Sequence, residues 1–261
     1  MMLSCEYYDP FMQKDRKTKK LEQLKYKIIH SDEHHLVIDK PAGMGCIPDR
    51  RDMGRKSLLE HLLVDYPSAR LVHRLDVMTS GVVLVALSTE AMRHLTSQFE
   101  NRDVKKEYIT FVSGFTAFEE LTISKPVGPV LRKGETTTRR KGKDSVTQIS
   151  RLRNFKGYSK LMCSPQTGRT HQIRIHLSDM GLPIVADEKY GGLYPLLSKI
   201  KKNYSRSKKQ QERDETPLIE RVALHAAQIT YTPYKSDKTI TMKAETPNDM
   251  LKFEEKLEKF A

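Results

Sequence analysis

His73-Arg74-Leu75-Asp76-Val77-Met78-Thr79-Ser80-Gly81 runs directly into Val82-Val83-Leu84-Val85-Ala86-Leu87. The unbroken apolar run, rich in β-branched valine, predicts a strand covered on both faces. The polar stretch ahead of it is then a loop held by a rigid strand, a position from which a scaffold presents reactive side chains. Asp76 lies there among His73, Arg74, Thr79 and Ser80. In isolation, an aspartate in such a turn caps backbone N–H groups and does no chemistry.

Working outward, Leu36-Val37-Ile38 reads as a strand ended by Pro41 and Gly43. Ser57-Leu58-Leu59-Glu60 has the spacing of a capping box and predicts a helix through Leu62 and Leu63 that stops near Pro67. Ser88 and Thr89 open a helix with Ala91, Leu95 and Phe99 on one face. Tyr108 to Val112 reads as a strand ending at Gly114, and 121–165 as β-rich, with strands at Thr147 to Leu152 and Ser159 to Cys163. Thr170 precedes Ile173, Leu177 and Met180, with Gly181 as a stop, which predicts a short amphipathic helix. Strands follow at Val222 to Tyr231 and Thr239 to Lys243, and Asn248 starts a last helix bearing Met250, Leu251 and Leu257. Helices and strands mix without regular alternation, so the fold class is α+β.

The 261 residues include 46 Lys and Arg against 33 Asp and Glu, a net charge of +13. An excess of that size favours a polyanionic partner, since each neutralised phosphate releases counterions. The basic residues cluster at 14–20, 132–143 and 199–213. Cys5, Cys46 and Cys163 are odd in number and widely spaced, which fits a reducing cytoplasm and neither a disulfide framework nor a cysteine zinc site. No apolar run has the roughly 18 residues of a membrane span.

Phosphate-loop and dinucleotide-binding glycine patterns are absent, as is the H-E-x-x-H zinc motif. His171 and His176 would be rotated about 140° apart on a helix and would face opposite sides of a strand, so they do not share an ion. His34-His35 has no spaced partner and is expected to be exposed beside a strand. No metal is therefore expected. A nuclease built on Asp76 and His73 would want a metal-binding carboxylate cluster, and the sequence has none.

A second stretch, Gly168-Arg169-Thr170-His171-Gln172-Ile173-Arg174-Ile175-His176-Leu177, changes the reading of Asp76. The run from His73 to Gly81 and the run from Gly168 to Leu177 together resemble the two long motifs of the RluA-type pseudouridine synthases. Leu36 to Gly43 is similar to that family's opening strand and loop, and Lys106-Glu107-Tyr108 to its K-x-Y element. Gly181 to Val185, Asp187, Tyr190-Gly191 and Leu224-His225-Ala226 follow in family order. Ala186 departs from the pattern, standing where the family usually has glycine.

The resemblance implies a pseudouridine synthase catalytic fold: a mixed, mostly antiparallel central sheet, flanking helices and a basic active-site cleft. It implies an RNA isomerase that needs no cofactor and acts on a tRNA or rRNA stem-loop. Asp76 would be the catalytic carboxylate, Arg174 its ion-pair partner, and Tyr108 the ring stacked on the target uracil. His73, Arg74, Thr79, Arg169, Thr170, His171 and Gln172 would contact RNA, with Thr79 and Ser80 also shaping the loop. Residues 27–261 would form one catalytic domain with a basic insertion at 198–216. A basic extension at 1–26 would precede it, leaving no room for the separate N-terminal RNA-binding domain of many relatives. A monomer is expected.

Overall fold

The computed structural model describes residues 25–49, 54–128, 142–202, 204–205 and 215–260. The basic run at 14–20, positions 132–141 of the basic loop, and positions 203 and 206–214 of the insertion lie outside them.

Among the described residues ten strands form one sheet, ordered β1-β2-β4-β9-β5-β8-β7-β6, with β3 added to β4 and β10 to β9. The strands are β1 (Lys27–Ser31), β2 (His35–Lys40), β3 (Arg70–Leu71), β4 (Ser80–Ala86), β5 (Lys105–Ser113), β6 (Glu120–Ser124), β7 (Val146–Phe155), β8 (Tyr158–Pro165), β9 (Leu224–Tyr231) and β10 (Ile240–Lys243). The described pairings are antiparallel except that of β4 with β9. The helices are α1 (Leu58–Asp65), α2 (Thr89–Asn101), α3 (Gln172–Asp179), α4 (Leu197–Ile200) and α5 (Asn248–Phe260). The architecture is the expected α+β one, with a mixed, mostly antiparallel sheet.

Strand β4 is buried along its whole length, and its alternating side chains feed two cores. Val83 and Val85 join Leu36, Ile38, Leu58 and Leu62 beneath α1. Val82, Leu84 and Ala86 join Val37, Ala91 and Leu95 beneath α2. The capping box of α1 forms as the sequence expects: the Ser57 side chain accepts from the Glu60 N–H, and the Glu60 carboxylate accepts from the Ser57 N–H. A third core gathers Phe111, Leu161, Ile173, Leu177, Phe253 and Leu257 between the far half of the sheet, α3 and α5. Leaving a cavity there by truncating Phe111 to alanine would cost about 3–5 kcal/mol.

Two expectations need correction, for His35 and for helix α3, and the reading of α5 is sharpened. His35 is not exposed; it is the first residue of β2, 1% exposed, with its Nε2 2.6 Å from the Tyr231 hydroxyl. In α5 the buried stripe is Met250, Phe253 and Leu257, while Leu251 faces solvent, because i, i+3, i+7 spacing fits the helical period. Helix α3 is not amphipathic: Gln172 through Leu177 are all buried. It packs against β7, β8 and a single 3-10 turn at Glu188–Tyr190, so its polar side is covered as well. Its N-cap is His171, in the left-handed conformation at φ 57°, with no side-chain cap from Thr170.

The parallel junction pairs Ser80 with His225 and Gly81 with Ala226. Gly81 has φ +112°, and a Cβ there would lie 2.1 Å from the Ala226 carbonyl oxygen. Gly81→Ala should therefore lower stability by about 3 kcal/mol or more, read from the denaturant midpoint. A variant within about 0.5 kcal/mol of the parent would show that β4 and β9 separate there without cost.

Candidate active site

Asp76 sits in the loop between β3 and β4, and backbone restraints hold that loop from several sides. The Thr79 N–H donates to the Asp76 carbonyl at 3.1 Å, and the Gly43 N–H to the Val77 carbonyl at 2.8 Å. The Cys46 sulfur accepts from the Leu75 N–H at 3.3 Å and donates to the Leu75 carbonyl at 3.4 Å. Lys40, fully buried, donates Nζ to the carbonyls of Met44 (2.8 Å), Pro41 (3.0 Å) and Val77 (3.3 Å). Burial pulls its pKa down to about 8, with the nearby Cys46 and Asp76 opposing that shift.

His73 anchors the start of the loop. Its Nε2 accepts the Leu84 N–H at 3.0 Å, and its ring stacks on Phe99 at 4.9 Å. A ring nitrogen that accepts a backbone N–H cannot carry a proton, so His73 is a neutral imidazole with its proton on Nδ1. Burial, reinforced by the Lys106 charge, holds its pKa near about 3. Ser80 closes the other end, its hydroxyl 3.0 Å from His225 Nδ1.

Against this loop stands Arg174, 98 positions away in sequence. Its Nη1 donates to Asp76 Oδ2 at 3.1 Å. Its Nε and Nη2 each donate to a different oxygen of Asp187 at 2.7 Å, a bidentate fork. Burial pulls the guanidinium pKa down, but the hydrogen bonds and charge of Asp187, then of Asp76, more than offset this and raise it. Asp187 is 1% exposed and Asp76 27%, so one carboxylate is sealed behind the guanidinium and the other opens to solvent. The Tyr190 ring lies against Arg174 at 5.0 Å.

His171 completes the rim. Its Nε2 is 3.6 Å from Asp76 Oδ2 and its Nδ1 is 2.8 Å from the Tyr190 hydroxyl. Burial lowers its pKa, partly opposed by Asp76. Its left-handed backbone stores strain beside the carboxylate, as at many functional sites. Tyr108, on β5, pairs with Ala226, the strand neighbour of Gly81, and so lies about 10 Å across the sheet from the loop's end. The β5–β9 register shifts between Glu107 and Tyr108, a bulge of the kind that re-aims a side chain. Burial, then the Asp76 charge, pushes the Tyr108 phenol above its usual pKa, so it stays protonated.

The remaining sequence candidates divide. Arg74 and Thr170 are exposed, and Arg169 is partly exposed with a buried Nε that has no hydrogen-bond partner among the described residues. Thr79 is 2% exposed and Gln172 4%, so neither presents its side chain to a bound polymer. Gln172 instead donates to the Val146 carbonyl and Thr147 hydroxyl and accepts from the Thr167 hydroxyl and Arg169 N–H. His73, likewise, spends Nε2 on β4. All three were expected to contact RNA; Thr79 and Gln172 are buried, and His73 is half-buried with one ring nitrogen taken by the β4 backbone.

Asp187, Lys40 and Cys46 received no role from the sequence. For Asp187 the signal was its place after Ala186, which adopts φ 59° at a cost of roughly 1–2 kcal/mol for a residue with a Cβ. Here the departure from glycine falls on the turn that aims Asp187 at Arg174.

The family model described as RNA pseudouridylate synthase matches residues 34–179. The chain is 37% identical over 166 residues to the dual-specificity RNA pseudouridine synthase RluA of Yersinia pestis, covering 62% of this chain and 81% of that protein. It is 33% identical to the ribosomal large subunit pseudouridine synthase D of Nitrosomonas europaea over 88% of this chain and 64% of that longer protein. Among solved structures, the human RNA pseudouridylate synthase domain containing 1 superposes with a TM-score of 0.62 at 26% identity, covering 85% of this chain and 84% of that one.

A pH dependence of folding follows from His73. Its folded pKa near about 3 lies below the unfolded value of about 6.5, so the unfolded chain binds the extra proton between those limits. Stability is full above that window and falls as pH drops through it. His35, His176 and His225 are shifted in the same direction. Denaturant titrations from pH 7 to pH 4 should therefore show a loss of stability whose slope is shallower in His73→Gln, which keeps an acceptor and does not titrate. Equal slopes would contradict the neutral, bonded imidazole.

Proposed function

Because the chain belongs to the RNA pseudouridylate synthase family, we propose that Asp76, Arg174 and Tyr108 are the residues with which it converts uridine to pseudouridine in RNA. The reaction is an isomerisation. The ribose–nitrogen bond of uridine breaks, the base turns, a bond forms from ribose to carbon-5, and the carbon-5 proton is lost as a nitrogen regains one. Atoms and electrons balance within the substrate. The protein's task is to hold a detached base against an activated sugar.

The observation that carries the reading is the Asp76–Arg174 contact at 3.1 Å, on the one side of the guanidinium that Asp187 does not occupy. As nucleophile or as base, Asp76 works only as the anion, and the guanidinium hydrogen bond fixes where that carboxylate points. The Tyr108 ring is the stacking surface for the uracil, and its protonated hydroxyl is available for proton movement at carbon-5. A base inside folded RNA must leave its stack to reach Asp76. Arg74, exposed beside it, fills the vacated space or holds a phosphate. Arg169, Thr170 and His171 flank the start of α3, where free N–H groups favour a phosphate, and the Arg169 Nε, without a partner among the described residues, fits that task. His73, Thr79 and Gln172 act as positioning residues. Together these groups line a basic cleft.

The substrate is RNA. Carrying over the relatives' printed descriptions, dual-specificity and ribosomal large subunit, we assign the target uridine to a stem-loop of tRNA or rRNA. One sheet runs from β1 to β10, which supports a single catalytic unit over 27–261 with basic additions at 1–26 and 198–216. One chain contributes all the site residues described, so a monomer suffices. Among the described residues no helix is long and apolar enough to cross a membrane, and Cys46 and Cys163 are free and buried, which suits a cytoplasmic enzyme.

Incubated with uridine-containing tRNA or rRNA and no added cofactor, the purified protein should form pseudouridine, scored by nucleoside analysis. Asp76→Asn should abolish turnover while RNA affinity stays within a few-fold; retained turnover would sink the assignment. Asp187→Asn should cost about 100-fold in kcat by misplacing Arg174, together with about 3 kcal/mol or more of stability from a buried, half-paired guanidinium. Parental kcat in that variant would mean that Asp187 does not orient the site.

A further inference from the structure

We propose that His30, Asp32 and His35 form a binding site for one divalent transition-metal ion of the zinc type at the turn joining β1 to β2. The ligand atoms are His30 Nε2, Asp32 Oδ2 and His35 Nδ1, all within 4.8 Å of one another. His30 Nε2 lies 3.2 Å from Asp32 Oδ2, and His35 Nδ1 lies 3.0 Å from it. A tetrahedral zinc with bonds of about 2.0–2.1 Å separates neighbouring ligand atoms by about 3.3 Å. The two distances to Asp32 Oδ2 are close to the one the ion imposes.

The turn is built for this. Asp32 Oδ1 accepts the N–H groups of His34 and His35, each at 2.8 Å, which locks the carboxylate and turns Oδ2 toward the imidazoles.

A second, independent observation points to a ligand. His35 is 1% exposed, and its buried Nδ1 makes no well-aligned hydrogen bond among the described residues, although the Asp32 carboxylate lies 3.0 Å away. Its other nitrogen meets the Tyr231 hydroxyl at 2.6 Å. When Nε2–H donates to that phenol, Nδ1 presents a bare lone pair facing a carboxylate oxygen. Two electron-rich atoms at that distance repel unless a proton or a metal ion lies between them, and in this tautomer the ring proton is already on Nε2. The Tyr231 contact is also the outer hydrogen bond that ligating histidines ordinarily make to fix their tautomer. Tyr231 is itself buried, at 1% exposed.

The fourth position faces solvent, since the His30 and Asp32 side chains are about one-third exposed, at 34% and 37%. The three ligands come from the end of β1, the turn and the start of β2, so the ion closes that hairpin. Strand β1 needs the closure: among the described residues it is an edge strand, and its pairing with β2 is broken by a bulge between Ile28 and His30. The site stands at the opposite end of β2 from Lys40, about 17 Å from the catalytic loop. Its role is structural and independent of the chemistry at Asp76.

The test uses the full chain, stripped with a chelator and titrated with Co2+ as a spectroscopic probe. One equivalent should bind with the strong visible absorption of a tetrahedral site, Zn2+ should displace it, and Zn2+ should raise the unfolding midpoint. His30→Ala and Asp32→Asn, both on partly exposed side chains, should weaken binding at least tenfold and leave pseudouridine formation unchanged. Tyr231→Phe should weaken it about 10–100-fold, and His34→Ala should leave it intact. Absence of stoichiometric Co2+ binding, or equal affinity in the parent, His30→Ala and Asp32→Asn, would overturn the site. Loss of binding in His34→Ala alone would do the same.

Discussion

One guanidinium shared by two carboxylates organises this protein. Arg174 gives Nε and Nη2 to the sealed Asp187 and Nη1 to the open Asp76. A bare buried arginine would be costly, and a bare aspartate in a surface turn would be an ordinary cap. Their joint presence converts both into a site. Because the fork to Asp187 is bidentate, the guanidinium plane cannot swivel, and Nη1 is aimed at Asp76 before any substrate arrives.

The rest of the fold can be understood as support for that contact. One side requires α3 to be sunk beneath the sheet, which Gln172 and His176 allow by bonding their polar groups to β7 and the chain before it. The other side requires the loop at 73–81 to keep its shape. Lys40, Gly43, Cys46 and His73 hold its backbone, and Gly81 lets β4 approach β9. A buried ammonium bonded only to carbonyls is an unusual restraint. It is stable because three oxygens replace the water it lost.

Much of this was visible before any coordinates. The apolar run at 82–87, the capping box at Ser57–Glu60 and the helix period after Ser88 each express a local rule, and the structure keeps them. The two long motifs also pointed to Asp76 and Arg174 as partners. Less visible were roles decided by which face a residue turns to. Thr79, Gln172 and His73 carry polar side chains in a polar stretch, yet Thr79 is buried, and Gln172 and His73 spend side-chain groups on β7 and β4. Asp187 stood in a recognised segment with no visible task, because its partner is a helix side chain whose direction depends on how deep that helix is buried.

Periodicity, caps and glycines are short-range properties, and the chain's own residues settled them: which stretches are strands, where helices begin, which loop carries the reactive carboxylate. Depth is different. Whether His35 meets solvent or Tyr231, and whether Arg174 lies on a surface or between two aspartates, depends on atoms far away in the chain that only packing brings near. Burial, and the hydrogen bonds it makes compulsory, belongs to the assembled structure.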